Sequence, residues 1–134
     1  ELETALRSAA ARGVRVQLLV ADWCKREGVV DGLQSLAALD GIDVSFVVIP
    51  VSSEGFVPFS RVAHAKLCVA DERAAWIGTS NWEGSYFKTS RNVSVILEGE
   101  AVGRRLAAWF DATWNSDYRE PVVPGQKYVA PRRQ

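Results

Sequence analysis

The stretch RVAHAKLCVADERAAWIGTSNW, residues 61–82, decides the fold of the middle of the chain. Its apolar and β-branched residues predict a strand over 63–70, and AAWIG, residues 74–78, predicts a second strand. The DER between them is far too short for a crossover, so we expect the two strands to be antiparallel. The same stretch contains His64, the only histidine in the chain.

The polar side chains of this stretch gather at one end of the predicted strand pair. His64 and Lys66 are two positions apart, so they leave the strand on the same face, with α-carbons about 6.5–7 Å apart. A tight turn would place residues 78–81 beside residues 63–66. Gly78 allows a close backbone approach there, and the residues after it supply hydroxyl and amide groups. A base or nucleophile, a cation and neutral donors would then converge, which suits a phosphate site without a metal.

Taken singly, the same residues have ordinary structural explanations. A lone histidine in a strand is more often structural, and a strand lysine commonly extends its ammonium to solvent. Asn81 can serve merely to cap the short turn that follows it. The combined spacing is what favours a catalytic interpretation.

The remaining sequence predicts helices and strands in alternation. We expect a helix over 2–12, a strand over 14–20 and a helix capped by Asp31 and stopped by Gly41. Further segments are a strand at 42–49, a loop at 50–61, a strand at 91–98 and an amphipathic helix at 100–115 through Val102, Leu106, Trp109, Phe110 and Thr113. This order predicts an α/β fold with a mixed β-sheet sandwiched between helices.

Composition excludes several classes of protein. The 134 residues carry 16 basic and 16 acidic side chains, so no strongly basic nucleic-acid surface is indicated. No apolar run reaches the roughly 20 residues of a transmembrane helix. Cys24 and Cys68 lie far apart without a neighbouring histidine, so we expect no zinc site. No sequence feature indicates a cofactor, and we expect none. Because the chain starts with Glu1 and contains no Met, we expect it to be a segment of a longer protein.

The spacing His64-x-Lys66-x4-Asp71-x6-Gly78-Thr79-x-Asn81 resembles the HKD signature of the phospholipase D superfamily, with Thr79 in place of the usual serine. The segments RGVRVQLLV, VVIPV, PFSRVAHAK, IGTSNW and WFDATWNSDY also resemble the second half of phospholipase-D-like proteins. That group includes animal lysosomal single-strand 5′-exonucleases and poxviral relatives. The resemblance implies one phospholipase-D-like half-domain over 1–118, followed by an irregular, Pro-containing tail over 119–134.

The resemblance also implies a metal-independent phosphodiesterase that works through a covalent phosphohistidine. His64 would be the nucleophile or the leaving-group acid, and Lys66 and Asn81 would hold non-bridging phosphate oxygens. Thr79 and Ser80 would bind or support the phosphate. The remaining motif positions, Asp71 and Gly78, are expected to shape the turn and the backbone, not to act in the chemistry.

One position departs from the superfamily pattern. Many members place a carboxylate some two dozen or more residues after the motif histidine, where it orients the imidazole. Here the corresponding stretch, FKTSRNVSV at 87–95, has no Asp or Glu. We expect Asn92, Ser94 or a carboxylate from elsewhere, such as Glu83, to take its place.

A single histidine supplies only half of the superfamily's two-motif site. We therefore expect a second HKD half, from a missing N-terminal half or from a homodimer mate. The resemblance favours single-stranded nucleic acid as the substrate, with phospholipid headgroups or a non-catalytic role as alternatives. Phe59, Trp82 and Glu83 are candidates for the substrate rim, although aromatics here can equally be core. A lumenal, secretory or cell-envelope location is compatible with the resemblance.

Overall fold

The computed structural model describes residues 1–57 and 60–131, which form two compact units. The first comprises Glu1–Ala63 with Ser116–Gln134, and the second comprises His64–Asn115. The helices are α1 (Leu2–Ala11), α2 (Val29–Ala37), α3 (Gly84–Lys88) and α4 (Glu100–Trp114), and the strands are β1 (Val16–Ala21), β2 (Ile42–Val47), β3 (Leu67–Ala70), β4 (Ala74–Gly78), β5 (Ser94–Glu98) and β6 (Arg119–Pro121). Among the described helices, none is long and apolar enough to cross a bilayer.

The first unit contains a mixed sheet in the order β1-β2-β6. Strands β1 and β2 run parallel from Val16↔Ile42 to Ala21↔Val47, as expected for strands joined through a helix. Phe46 of β2 is completely buried (0% exposed), and it belongs to a core that includes Leu33 and Leu36 of α2. The α/β class and the mixed strand pairing are confirmed.

The C-terminal segment contributes to this unit. Residues 119–121, predicted as part of an irregular tail, form β6 antiparallel to β2, and Val122 joins the buried core. The Tyr128 hydroxyl accepts the Val123 N–H at 2.7 Å and donates to the Pro121 carbonyl at 2.9 Å. Residues 119–121 are therefore not irregular, because backbone pairing with β2 outweighs the Pro-rich composition that suggested a linker.

The second unit contains an antiparallel sheet in the order β3-β4-β5. The six described strands thus form two three-stranded sheets. The turn between β3 and β4 has Asp71 and Glu72 at φ 52° and 55°, and the Arg73 N–H donates to the Ala70 carbonyl at 3.0 Å. Two successive left-handed residues define a type I′ turn, whose twist matches that of the flanking strands. The predicted antiparallel pairing is confirmed.

Helix α4 packs against this hairpin through a glycine. A Cβ built on Gly103 would lie 2.1 Å from the Glu72 carbonyl oxygen and 2.5 Å from the Arg73 nitrogen. The helix therefore approaches the turn more closely than any side chain would allow. Because Gly103 faces the hairpin, the buried face of α4 differs from the apolar face predicted from the sequence. Trp114 is buried, while Val102 and Trp109 (53% exposed) face solvent.

Several element boundaries differ from those predicted. Helix α2 begins at Val29 after Gly28 (φ 77°), so Asp31 lies in its first turn and is not its cap. Strand β3 begins at Leu67, so His64 and Lys66 precede it. The segment after Asn81, predicted as a turn, contains the five-residue helix α3. Such short helices give too little periodicity to be recognised in a sequence.

Strand β5 has an unusual environment for its composition. All five of its residues are exposed, including Val95 (49%) and Ile96 (70%), whose side chains lie on opposite faces. A continuous apolar run of this kind normally marks a strand covered on both faces.

We predict that Gly103→Ala lowers the free energy of unfolding by about 1–3 kcal/mol, because the added methyl forces α4 away from the hairpin backbone. Chemical denaturation of the protein measures this change.

Gly32→Ala in α2 is the matched control, since a Cβ there would meet no atom within 4 Å. It should stabilise the protein by about 0.5–1 kcal/mol through helix propensity. Equal effects of the two substitutions would contradict the proposed role of the Gly103 contact.

Candidate active site

Three of the motif residues, His64, Lys66 and Asn81, lie at or beyond one end of the β3–β4 pair. The Gly78 N–H donates to the Lys66 carbonyl at 3.1 Å, which extends the ladder one residue beyond the Leu67↔Ile77 pair. His64 precedes this point by two residues, and Asn81 follows it by three. Both residues therefore continue from the same end of the strand pair, as the sequence predicted. His64 is exposed and Asn81 is half-buried.

Lys66 is held close to the backbone of His64. Its Nζ donates to the His64 carbonyl oxygen at 2.7 Å. Burial lowers the pKa of the Lys66 ammonium from its ordinary value, because desolvation disfavours the charged form. A bound anion would restore part of the lost solvation, so this lysine is suited to a phosphate ligand.

Thr79 is bonded to the strand beside it. Its N–H donates to the Val93 carbonyl at 3.0 Å, and its hydroxyl accepts the Val93 N–H at 3.2 Å. The same hydroxyl donates to Asn92 Oδ1 at 3.0 Å. These contacts give Thr79 a supporting role at the end of β4, and its role toward a phosphate stays a prediction.

Asn92 joins this loop to α3. Its Nδ2 donates to the Tyr86 carbonyl at 2.8 Å while its Oδ1 accepts from Thr79. We call Thr79, Asn92 and Tyr86 the Asn92 clamp. The contacts that the structure gives Asn92 thus hold the segment leading to Asn81, whereas the sequence suggested this residue as a partner for the His64 ring.

The other two candidates for orienting His64 also have definite positions. Ser94 is the first residue of β5 and pairs with Gly78. Glu83 immediately precedes α3, and its carbonyl accepts the Tyr86 N–H at 3.0 Å. Orientation of the imidazole by either residue stays a prediction.

Trp76 packs beside Gly78, and Trp82 packs against Trp76. A Cβ on Gly78 would lie 2.6 Å from Cζ2 of Trp76, so the indole occupies the space that a side chain would fill. The Trp82 ring meets Trp76 edge to face, with ring centroids 6.2 Å apart. Trp82, a predicted rim residue, is therefore partly committed to packing. Trp76 was not predicted, although its position two residues before Gly78 on the same strand face was a usable signal.

The other predicted residues take different positions. Ser80 is only 3% exposed, which favours the support role over direct phosphate binding. Asp71 lies in the β3–β4 turn, at the end of the strand pair opposite to Lys66 and Gly78, which is consistent with a structural role. Phe59 lies outside the described residues. Within residues 1–57 and 60–131, no three His, Cys, Asp or Glu side chains are grouped so as to hold a metal ion.

Comparison with known proteins identifies the family. Residues 1–114 match the family described as "Cardiolipin synthase, PLD-like domain". The chain belongs to this phospholipase-D-like family. The family assignment therefore rests on most of the sequence and not on the HKD spacing alone.

Individual relatives agree with this assignment. The chain is 34% identical to a probable phospholipase D of Caenorhabditis elegans, over 91% of this chain and 24% of the relative. It is 36% identical to human "5'-3' exonuclease PLD4", over 96% of this chain and 29% of the relative. The chain therefore spans about a quarter of the length of the curated relatives it matches.

A solved structure supports the fold. NucT from Helicobacter pylori matches with a TM-score of 0.76 at 16% identity, over 86% of this chain and 71% of that chain. At this identity, the likeness establishes the shared phospholipase-D-like fold.

We predict that Asn92→Ala loosens the end of β4 and lowers the free energy of unfolding by about 0.5–1.5 kcal/mol, as expected for loss of a side-chain hydrogen bond. Hydrogen exchange of the Thr79 and Val93 amides should accelerate, because the clamp no longer holds their pairing.

Asn115→Ala is the control, since Asn115 also donates from Nδ2 to a backbone carbonyl, that of Asp111, at 2.9 Å. It should leave exchange at Thr79 and Val93 unchanged. Unaltered exchange in Asn92→Ala would show that the clamp is dispensable.

Proposed function

We propose that this chain supplies one half of the active site of a phosphodiesterase that acts on single-stranded nucleic acid through a covalent phosphohistidine. The observation that carries the proposal is the intact HKD spacing in a phospholipase-D-like chain, with His64, Lys66 and Asn81 at one end of a single strand pair.

The chemistry requires two histidines. In the first step, one imidazole nitrogen attacks phosphorus and forms a P–N bond while the P–O bond to the leaving group breaks. The second histidine gives its proton to the departing oxygen. It then takes a proton from water, which attacks phosphorus and releases the first histidine. Splitting one displacement in two makes each barrier smaller, and His64 fills one of these two roles.

Lys66 and Asn81 would stabilise the transferring phosphoryl group. Charge accumulates on its non-bridging oxygens in the transition state, and a positioned ammonium and amide offset that charge. The Lys66 Nζ already lies 2.7 Å from the carbonyl of the residue that reacts, so a small side-chain movement brings it to a phosphate there. This donor set needs no metal in the reaction.

The second histidine has to come from a second HKD half, since the chain has one. We propose that this half belongs either to the same protein or to a second copy. The apolar strand β5, exposed on both faces, supports an additional partner surface in the second unit.

The relative named as a 5′-3′ exonuclease aligns with 96% of this chain, which supports single-stranded nucleic acid as the substrate. A phospholipid headgroup is the alternative, because another relative is named a probable phospholipase D.

We expect His64→Ala in the full protein to lower kcat/KM on 5′-ended single-stranded DNA by roughly 10³-fold or more, because no other group supplies the imidazole. Lys66→Ala should also lower it strongly, whereas Lys88→Ala, at an exposed lysine in α3, should have little effect. Activity should persist in EDTA.

Steady-state assays on single-stranded DNA and on phosphatidylcholine vesicles distinguish the substrates. Unchanged DNA cleavage in His64→Ala would refute its catalytic role, and loss of activity in EDTA would refute the metal-free mechanism. Hydrolysis of the vesicles without cleavage of DNA would show that the substrate is a phospholipid and not nucleic acid.

A further inference from the structure

A cleft lies in the first unit, at the edge of the sheet where β1 and β2 end. Asp22 and Trp23 follow β1 directly, and Ile49 and Pro50 follow β2. Because the two strands are parallel, their carboxyl ends share this edge. Ligands of open α/β sheets bind in crevices at this position. Sequence reasoning missed the cleft, although the residues directly after a predicted parallel strand were a signal for it.

The loop after β2 also lines the cleft. The Gly55 N–H donates to the Ser52 carbonyl at 2.9 Å, and this turn presents Phe56 to the cleft. Arg61 Nε donates to the Pro50 carbonyl at 2.8 Å, which ties the two ends of the loop together. Trp23 and Phe56 thus both contribute aromatic side chains to the lining, and Arg61 contributes a cation.

Asp22 supplies a carboxylate to the lining of the cleft. Burial raises the pKa of its carboxyl, and nearby Lys25 partly opposes that effect. Lys25 itself pairs with Glu120 at 2.5 Å and lies over the ring of Phe46, 5.2 Å from its centroid. Backbone N–H groups of Trp23 and Asp22 also hydrogen-bond the Asp22 carboxylate. A further donor on a ligand would add to these interactions and offset more of the cost of burying the charge.

The cleft is joined to the motif histidine by the chain. Val62 lines the cleft and precedes His64 by two residues. Two residues span at most about 7 Å between α-carbons, whatever the arrangement of the two units.

We propose that this cleft binds the 5′-terminal nucleobase of the substrate, with the ring packed on Trp23 and Phe56 and an exocyclic amino group donating to Asp22. The proposal rests on the proposed function and specifies how that site recognises its substrate. An acyl chain is less favourable in this cleft, because it would desolvate the Asp22 carboxylate further and add no hydrogen bond to it.

The test compares single-stranded oligonucleotides whose 5′-terminal residue is adenine, thymine or an abasic tetrahydrofuran. For the full wild-type protein, we expect kcat/KM to be about 5- to 150-fold higher with adenine than with the abasic residue, the size of a base-stacking contact. Trp23→Ala and Phe56→Ala should reduce this ratio towards one, because they lower kcat/KM for the adenine substrate more than for the abasic substrate. The near-isosteric Asp22→Asn should reduce the preference for adenine over thymine.

Trp109→Ala, at an exposed tryptophan of α4, is the matched control and should keep the wild-type ratio. Thermal unfolding identifies variants that fail to fold. If Trp23→Ala or Phe56→Ala fails to fold, Asp22→Asn provides an independent test of the cleft. Equal kcat/KM for adenine and abasic substrates in the wild type would overturn the cleft assignment alone.

Equilibrium binding of the same oligonucleotides in the His64→Ala background separates the two proposals. A base preference in binding that Phe56→Ala removes supports the cleft even if His64 proves not to be catalytic. Equal affinity for base-bearing and abasic oligonucleotides in a protein that cleaves DNA would overturn the cleft and leave the proposed function intact.

Discussion

The contact between Gly103 and the Glu72–Arg73 peptide is the constraint on which the second unit depends. It seats α4 directly on the β3–β4 turn, where a Cβ would come within 2.1 Å of a carbonyl oxygen. The turn places Asp71 and Glu72 in left-handed conformations, which non-glycine residues adopt only where the surroundings hold them. With the turn fixed, the strand register is fixed as well, and a slip of one residue would move every side chain to the opposite face.

The same register determines the motif end of the strand pair. Lys66 pairs through its carbonyl with the Gly78 amide, so the residues that flank this pair extend from one end of the sheet. There the Asn92 clamp binds the continuation of β4 to β5 and to α3. The predicted phosphate ligand Asn81 thus follows a segment that is hydrogen-bonded on both sides. Such support is what a site needs if it is to hold donors in place without rearranging during the reaction.

The sequence predicted the features that depend on local pattern. The apolar segments of β2, β3 and β4, the short DER turn and the HKD spacing are all visible in consecutive residues. Features that depend on tertiary contacts were missed or misplaced. β6 forms because Arg119–Pro121 pairs with β2, which lies far away in the sequence. No local sequence pattern indicates that pairing. The exposed side of α4 was misjudged because a glycine, not an apolar side chain, faces the hairpin. Asn92 was noted as a polar residue, but its partners Thr79 and Tyr86 become neighbours only in the folded unit.

The central claim is that phosphodiester cleavage proceeds by two successive displacements at phosphorus through a phosphohistidine. The most direct measurement is the stereochemical course of cleavage of a chiral phosphorothioate diester in isotopically labelled water. Each in-line displacement inverts phosphorus, so the two-step route predicts net retention of configuration, whether His64 is the nucleophile or the acid. Net inversion would show direct attack by water and would contradict the account.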